Sequence, residues 1–446
     1  MARARARRSL RALLLVAGVT GGRFAAAQTE GVVGPGASWN LHGQATVIDQ
    51  GHGGFPAAYT GANSLLPKRE SDTSTTATLF LTVRAWRGAE LVFVPEVAGG
   101  RGISGVTGVA GFPNGDIVRV STPERRLYVA RAFLRQTWGL ASEVEKVAGG
   151  PMQLAGERAL SRLTLTAGRF AATDLFDDNA YSHDPRTQFM NWSLMDGASW
   201  DYPADTRGYS WGLVLELNQP SWAVRAGTFM VSLEANGLPL DHHVLQDRGD
   251  VAELELRHHL GGRTGKLRLL AYQNHARMGT YALALMDARA QPPDVTATRR
   301  PGTLKYGFGV NVEQQLGDGI GGFARWGWND GRTESWAFTE VDRTVSAGLQ
   351  ADGSLWGRSN DTAGVACVSN GLAPDHRDYL AAGGLGFIIG DGALDYGREG
   401  IAEVYYNLFV GNGITFAADY QRVKNPAYNR DRGPVSIVAV RMHWAM

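Results

Sequence analysis

Residues 174–192, DLFDDNAYSHDPRTQFMNW, put four aspartates, two asparagines, a histidine and an arginine within one short stretch rich in aromatics. Paired carboxylates beside a histidine do general acid–base work in soluble enzymes. Asp177, Asp178, His183 and Asp184 are also oxygen and imidazole donors of the kind that hold Mn, Mg or Ca. A third use is a lining: Asp177, Asp178, Asn179, Asp184 and Arg186 hydrogen-bond a passing solute while Tyr181 or Trp192 stacks on the apolar face of a ring. Which use applies depends on the elements that position the stretch.

Other chemical signals are weaker. Neighbours on a strand face opposite sides, so the pair His258 and His259 cannot grip one metal. GGLGFIIGDG lacks the spacing and the Lys-Ser/Thr ending of a phosphate loop, and neither G-x-S-x-G nor H-E-x-x-H occurs. The single cysteine, Cys367, sits in an apolar run where a buried, inert thiol is expected, and one cysteine excludes a disulfide framework.

Lys and Arg number 44 against 43 Asp and Glu, a net charge of +1, so no bulk positive field invites nucleic acid. The start is arginine-rich, with an apolar stretch at 10–19 and Ala25, Ala26 and Ala27 as a small-residue site. Residues 1–27 therefore read as a signal peptide, leaving 28–446 as one unit. Beyond that leader no apolar run reaches the roughly 18 residues a membrane helix needs.

Period-two alternation replaces helical periodicity. In WNLHGQATV, Trp39, Leu41, Gly43, Ala45 and Val47 share one face and Asn40, His42, Gln44 and Thr46 the other. Comparable segments lie at 76–86, 89–97, 126–139, 161–170, 208–218, 221–231, 250–260, 265–275, 303–315, 319–329, 339–350, 360–370, 399–410, 413–423 and 434–446. Each is near the length of about ten residues with which a tilted strand crosses a bilayer. Brief Gly/Asn/Asp links alternate with long polar ones at 48–75, 97–125, 171–207, 232–249, 276–302 and 371–398. The pattern predicts an all-β transmembrane antiparallel barrel of about 16 strands, with short periplasmic turns and long extracellular loops. A soluble sandwich or propeller fits poorly, because loops this long are uncommon in compact domains.

Two links depart from the alternation: 141–159 is long on the short side, and the link after Asn329 is short on the long side. The last segment places Val438, Val440, Met442, Trp444 and Met446 on one face, with Met where an aromatic usually ends such a strand. With apolar faces to lipid, the opposite faces carry Arg84, Glu96, Arg131, Arg135, Glu216, Arg225, Arg268 and Arg325. Arginine forks suit sugar hydroxyls, or brace the wall by pairing. Arg131 and Arg135, about 13 Å apart along a strand, are expected to form successive rungs for a solute.

The chain resembles the carbohydrate-selective porins of the OprB family of Gram-negative outer membranes over its mature length. The likeness rests on SWNLHGQAT (38–46), VAGFPNGD (109–116), RAFLRQTWGL (131–140) and LTLTAGRFAATDLFDDNAYSHDPRTQFMNW (163–192). It also rests on ADTRGYSWG (204–212), HRDYLAAGGLGFIIGDG (376–392) and AEVYYNLFVGNGITFAADYQRVKNP (402–426). The resemblance implies a passive sugar pore in the outer membrane, without cofactor or covalent chemistry. Its partners would be sugars, outer-membrane lipid and the barrel-assembly machinery, with a monomer or homotrimer both open. In general porins the third long loop folds inward, which makes 171–207 the expected constriction. The alternatives are a manganese-type divalent-cation porin of the same family, held by Asp177, Asp178, His183 and Asp184, a barrel hydrolase, and a plugged structural barrel.

Overall fold

The computed structural model describes residues 37–117, 124–287 and 291–446, so the leader at 1–27 lies outside the described residues. Strands occupy β1 Trp39–His52, β2 Glu70–Trp86, β3 Ala89–Gly100, β4 Arg126–Gly139, β5 Val144–Val147, β6 Gly156–Ala159, β7 Arg162–Phe170, β8 Ser210–Asn218 and β9 Trp222–Phe229. The second half holds β10 Arg248–Leu260, β11 Arg263–Ala276, β12 Thr303–Gly317, β13 Ile320–Asn329, β14 Arg343–Asp352, β15 Thr362–Gly371, β16 Glu399–Gly411, β17 Ile414–Lys424 and β18 Val435–Ala445. All but β5 and β6 join one closed antiparallel barrel in sequence order, and β1 completes the ring against β18 with Val47 opposite Met442. Closure satisfies every ladder without an edge, as lipid requires. No helix among the described residues is long and apolar enough to cross a membrane.

Alternation sorts the faces as the sequence predicts. Leu213, Leu215, Val345, Val404, Val438 and Val440 stand exposed on the outside, while Thr46, Thr78, Glu253, Arg268, Arg325 and Gln421 are buried within. Cys367 falls on the outer face beside Val365 and is exposed, which corrects the expectation of a buried thiol.

Several boundaries move. β1 runs on to His52 and β2 begins at Glu70, because their ladder continues to the pair His52 and Glu70; the first loop is therefore 53–69 rather than 48–75. The link after Asn329 is longer than expected, since β14 starts only at Arg343. The long 141–159 link is a hairpin of its own, with Val144 opposite Ala159. Its tip enters the periplasmic mouth: inward-facing Asn40 donates to the carbonyls of Gly150 and Gln153 (3.1 and 2.7 Å), and Arg135 to that of Met152 (2.9 Å). The Leu154 N–H donates to Glu90, and Met152 packs on the main apolar cluster.

A break in parity lies in β4. Pro95 of β3 has no N–H to give, and the register shifts there so that Val94 faces Arg131 while Pro95 faces Val129. Tyr128 and Arg131, three apart, consequently both point inward, where Tyr128 reaches Glu96 and Arg131 reaches Asp174.

Candidate functional site: a loop collar inside the barrel

The third long loop, 171–209, follows the inner wall instead of standing above it. A backbone taken into the lumen must find partners for its N–H and C=O groups, and the wall supplies them strand by strand. The Asp177 N–H donates to Glu253 of β10 (2.7 Å) and the Ala180 N–H to Glu313 of β12 (2.9 Å). On the far side Glu403 of β16 accepts from the N–H groups of Met190 and Asn191 (2.5 and 3.0 Å).

Two buried arginines take the carbonyls. Arg325 of β13 donates to Leu194 (2.9 Å), Ser182 (2.7 Å) and Asp177 (3.2 Å), and its Nε lies 3.3 Å from the Asp177 carboxylate. Arg441 of β18 donates to Pro185 (2.6 Å) and Gln188 (2.9 Å). Arg186 then reaches from the loop to Thr78 of β2, to Glu96 of β3 and to Asp116 of the second loop. The loop is thereby tied around most of the circumference as a collar.

The wall is shaped to receive it. On the inner face of β13, a Cβ at Gly321 would stand 1.9 Å from the Tyr181 ring, and one at Gly327 would stand 2.1 Å from the Ser199 hydroxyl. Glycine at these two positions is a seat for the loop. Phe176, Phe189 and Met190 bury themselves between collar and wall, and Trp192 is buried against Phe112 of the second loop; together they anchor the collar from behind.

Polar groups that still face open space are the Asp178 side chain, 55% exposed, that of His183, 28% exposed, and exposed Thr187. Burial favours the neutral forms of Asp178 and Asp184, but the charges of His183 and Arg268 hold Asp178 below the usual carboxylate range, and Arg186 does the same for Asp184. Burial likewise favours neutral His183, yet its contact with Asp196 (3.1 Å) and the nearby Asp178 charge outweigh that and lift it to about 9. Arg325, the other charge facing this ring, acts in the opposite sense. The folded pair thus holds its proton above the ordinary histidine value of roughly 6.5. Its stabilisation is complete below that value and is lost as pH rises through about 9. Channel current is expected to be quiet at pH 6–7 and to become noisy above about pH 9, in bilayer recordings; an H183Q variant with the same pH profile would rule the pair out as the cause.

Residues 71–446 match the family model described as carbohydrate-selective porin, OprB family. The chain belongs to this family. Solved structures agree with that fold: OprB of Pseudomonas putida at high pH superposes with a TM-score of 0.70 at 17% identity, covering 92% of this chain and 94% of that one. Its low-pH structure gives 0.50 at 15% identity, over 92% and 93%. No curated protein sequence matches the chain. Family and fold are those of an outer-membrane channel of Gram-negative bacteria.

In this porin the expected wall residues are inward but mostly engaged with one another. Arg225 bonds Glu216, Glu253 and Glu255, and Arg268 bonds Glu255, Glu313 and Asp178. Arg131 is bidentate with Asp174 (2.6 Å twice) and Arg135 meets Glu90 at 3.2 Å, so the two are braces and not a ladder of free rungs. Arg84 is exposed at the short-turn end and donates to the Ala37 carbonyl. Carboxylates at 90, 253, 255, 313, 399 and 403 also face inward and balance the arginines of the wall. Alternation on β10 and β12 signals three of these; the sequence reading passed over them in favour of arginine.

Trp192 is corrected as well: it is 2% exposed and stacked on Phe112 at 5.3 Å, so it offers no ring to a solute. Asn179 turns outward to Asn311 (2.7 Å) and Tyr181 lies against Gly321. The four candidate metal ligands do not converge. Asp177 accepts from Gly197 and Asn311, Asp178 faces Arg268, His183 pairs with Asp196, and Asp184 accepts from the Arg186 N–H and the Thr187 hydroxyl. Among the described residues no group of three or more His, Cys, Asp or Glu could hold a metal ion.

Proposed function

We propose that this porin passes neutral mono- or oligosaccharides by passive diffusion, with the collar at 171–207 as its constriction. The observation that carries this reading is the pairing of charges around the collar. Arg186 lies between Glu96 and Asp116, Arg268 between Glu255 and Glu313, and Arg131 against Asp174. Such a surface has hydrogen-bonding edges for hydroxyls and little net field with which to draw ions. The family description, carbohydrate-selective, supports the same solute class.

Planar-bilayer conductance with sugar titration tests it. Glucose or a larger sugar at about millimolar concentration is expected to reduce the current, a typical affinity for a site that must also release its solute. If no sugar lowers the current and liposomes swell equally with all solutes of one size, selectivity for carbohydrate is wrong.

A further inference from the structure

The outer face at the extracellular end of β14–β17 carries four cations grouped on a floor of small residues. Arg343 opens β14, Arg398 immediately precedes β16, and Arg422 and Lys424 close β17. Arg398, Arg422 and Lys424 are exposed and Arg343 is half-buried. Alternation puts Arg343 on the side of lipid-facing Val345, and Arg422 and Lys424 on that of Tyr420.

Register brings them within four residues of one another along the strands. Arg343 is opposite Gly371, Ser369 opposite Gly400, Gly400 opposite Lys424, and Ala402 opposite Arg422. The Arg398 guanidinium lies over Gly371, where a Cβ would meet it at 2.8 Å. Arg343 and Lys424 are three strand spacings apart and two residues offset along the strand, roughly 16 Å. The outward residues between them, Ser369, Gly371, Gly400 and Ala402, are all small.

None of the four forms an ion pair among the described residues; each bonds neutral oxygen or nothing. Arg343 donates to the Asn329 and Asp342 carbonyls, Arg398 to the Ser369 hydroxyl and carbonyl, and Arg422 to the Ser436 hydroxyl. Asp342 and Asp330 lie near Arg343 without pairing with it; Asp342 is buried, accepts from the Ala373 N–H and faces His376, and the Arg343 guanidinium stands 4.8 Å over the Trp328 ring. Elsewhere on the same rim the outward arginine Arg248 is paired with Asp250 at 3.1 Å. Directly below the cations the surface is apolar, with Val404, Val438 and Val440 exposed and Tyr420 bonded to Ser436.

Uncompensated cations above an apolar band, at the level where polar headgroups of the outer leaflet begin, match a ligand with phosphates above and acyl chains below. We propose that this surface binds the phosphate groups of a phosphorylated glycolipid of the outer leaflet.

The test uses the full-length folded barrel in detergent with bisphosphorylated lipid A, monophosphorylated lipid A or phosphatidylcholine, and native mass spectrometry to count bound lipid. Bisphosphorylated lipid A is expected to bind best. The triple variant Arg398→Gln, Arg422→Gln, Lys424→Gln is expected to bind it on the order of a hundredfold more weakly, as loss of three headgroup charges implies. Arg248→Gln, whose arginine is already paired, should bind as the parent does. Heat-modifiable gel mobility shows that each variant is folded. Equal binding by the triple variant, an equal loss in Arg248→Gln, or full displacement by equimolar inorganic phosphate would each overturn the assignment.

Discussion

Replacing Arg325 by Met is expected to open the channel. The substitution keeps an unbranched, flexible stem, though a shorter one, and removes every donor. It leaves the Ser182 carbonyl without its donor and the Asp177 carboxylate without its cation, while the Leu194 and Asp177 carbonyls fall back on the Ser182 hydroxyl and Asn311. Breaking such an arrangement from one side costs on the order of 3–5 kcal/mol. Most of the barrel does not feel this cost, since the sheet has its own ladders; the loop relieves it by leaving the wall for water. Single-channel conductance is therefore expected to rise about twofold or more, because conductance follows bore. Block by sugar should weaken in parallel. Arg441→Met, which frees the opposite arc of the same loop, is expected to act in the same direction and non-additively with Arg325→Met. An unchanged conductance in the folded double variant would show that the collar does not set the bore.

The second large effect is expected at the other mouth. Excising residues 148–155 and joining β5 to β6 by Asn-Gly removes the tip that Asn40, Arg135 and Glu90 hold inside the barrel. The Arg135 and Glu90 pair survives, because its partners belong to β4 and β3. The lost polar bonds are partly exposed, but the excision also removes buried Leu154 and the packing of Met152, so stability should fall by roughly 2–4 kcal/mol while the ladders of the barrel stay intact. Conductance should rise, again about twofold if the tip narrows the path, while the sugar affinity set at the collar stays the same. A rise with unchanged sugar block separates the two narrow points. No rise at all would place the tip outside the path of the current.

The barrel was legible in the sequence because lipid imposes a period of two on every strand, and sixteen repeats of one signal are hard to miss. Face assignments for Glu96, Arg131, Arg225, Arg268 and Arg325 followed from the same parity. The collar was legible only as a location. Parity stops at the last ladder pair, so nothing in DLFDDNAYSHDPRTQFMNW told which side chains turn to the wall. Trp192 and Asn179, offered to the solute, proved to be anchors for that reason. One available signal was missed: Gly321, Phe323, Arg325 and Gly327 alternate on one face of β13, and two glycines on an inner face point to something seated against them. The bulge at Pro95 was hidden for a different reason, since a proline announces a disturbance in a strand but not the partner residue that absorbs it.

Arg441 belongs to the last strand of the chain, whereas the carbonyls it holds, those of Pro185 and Gln188, are written more than two hundred residues earlier. The loop finds its full set of partners only once β18 has paired with β1, because Arg441 rides on the closing strand. Bore is thus the final property this molecule acquires during biogenesis: an unfinished barrel has walls and a loop, but its aperture is fixed only in the act of closing.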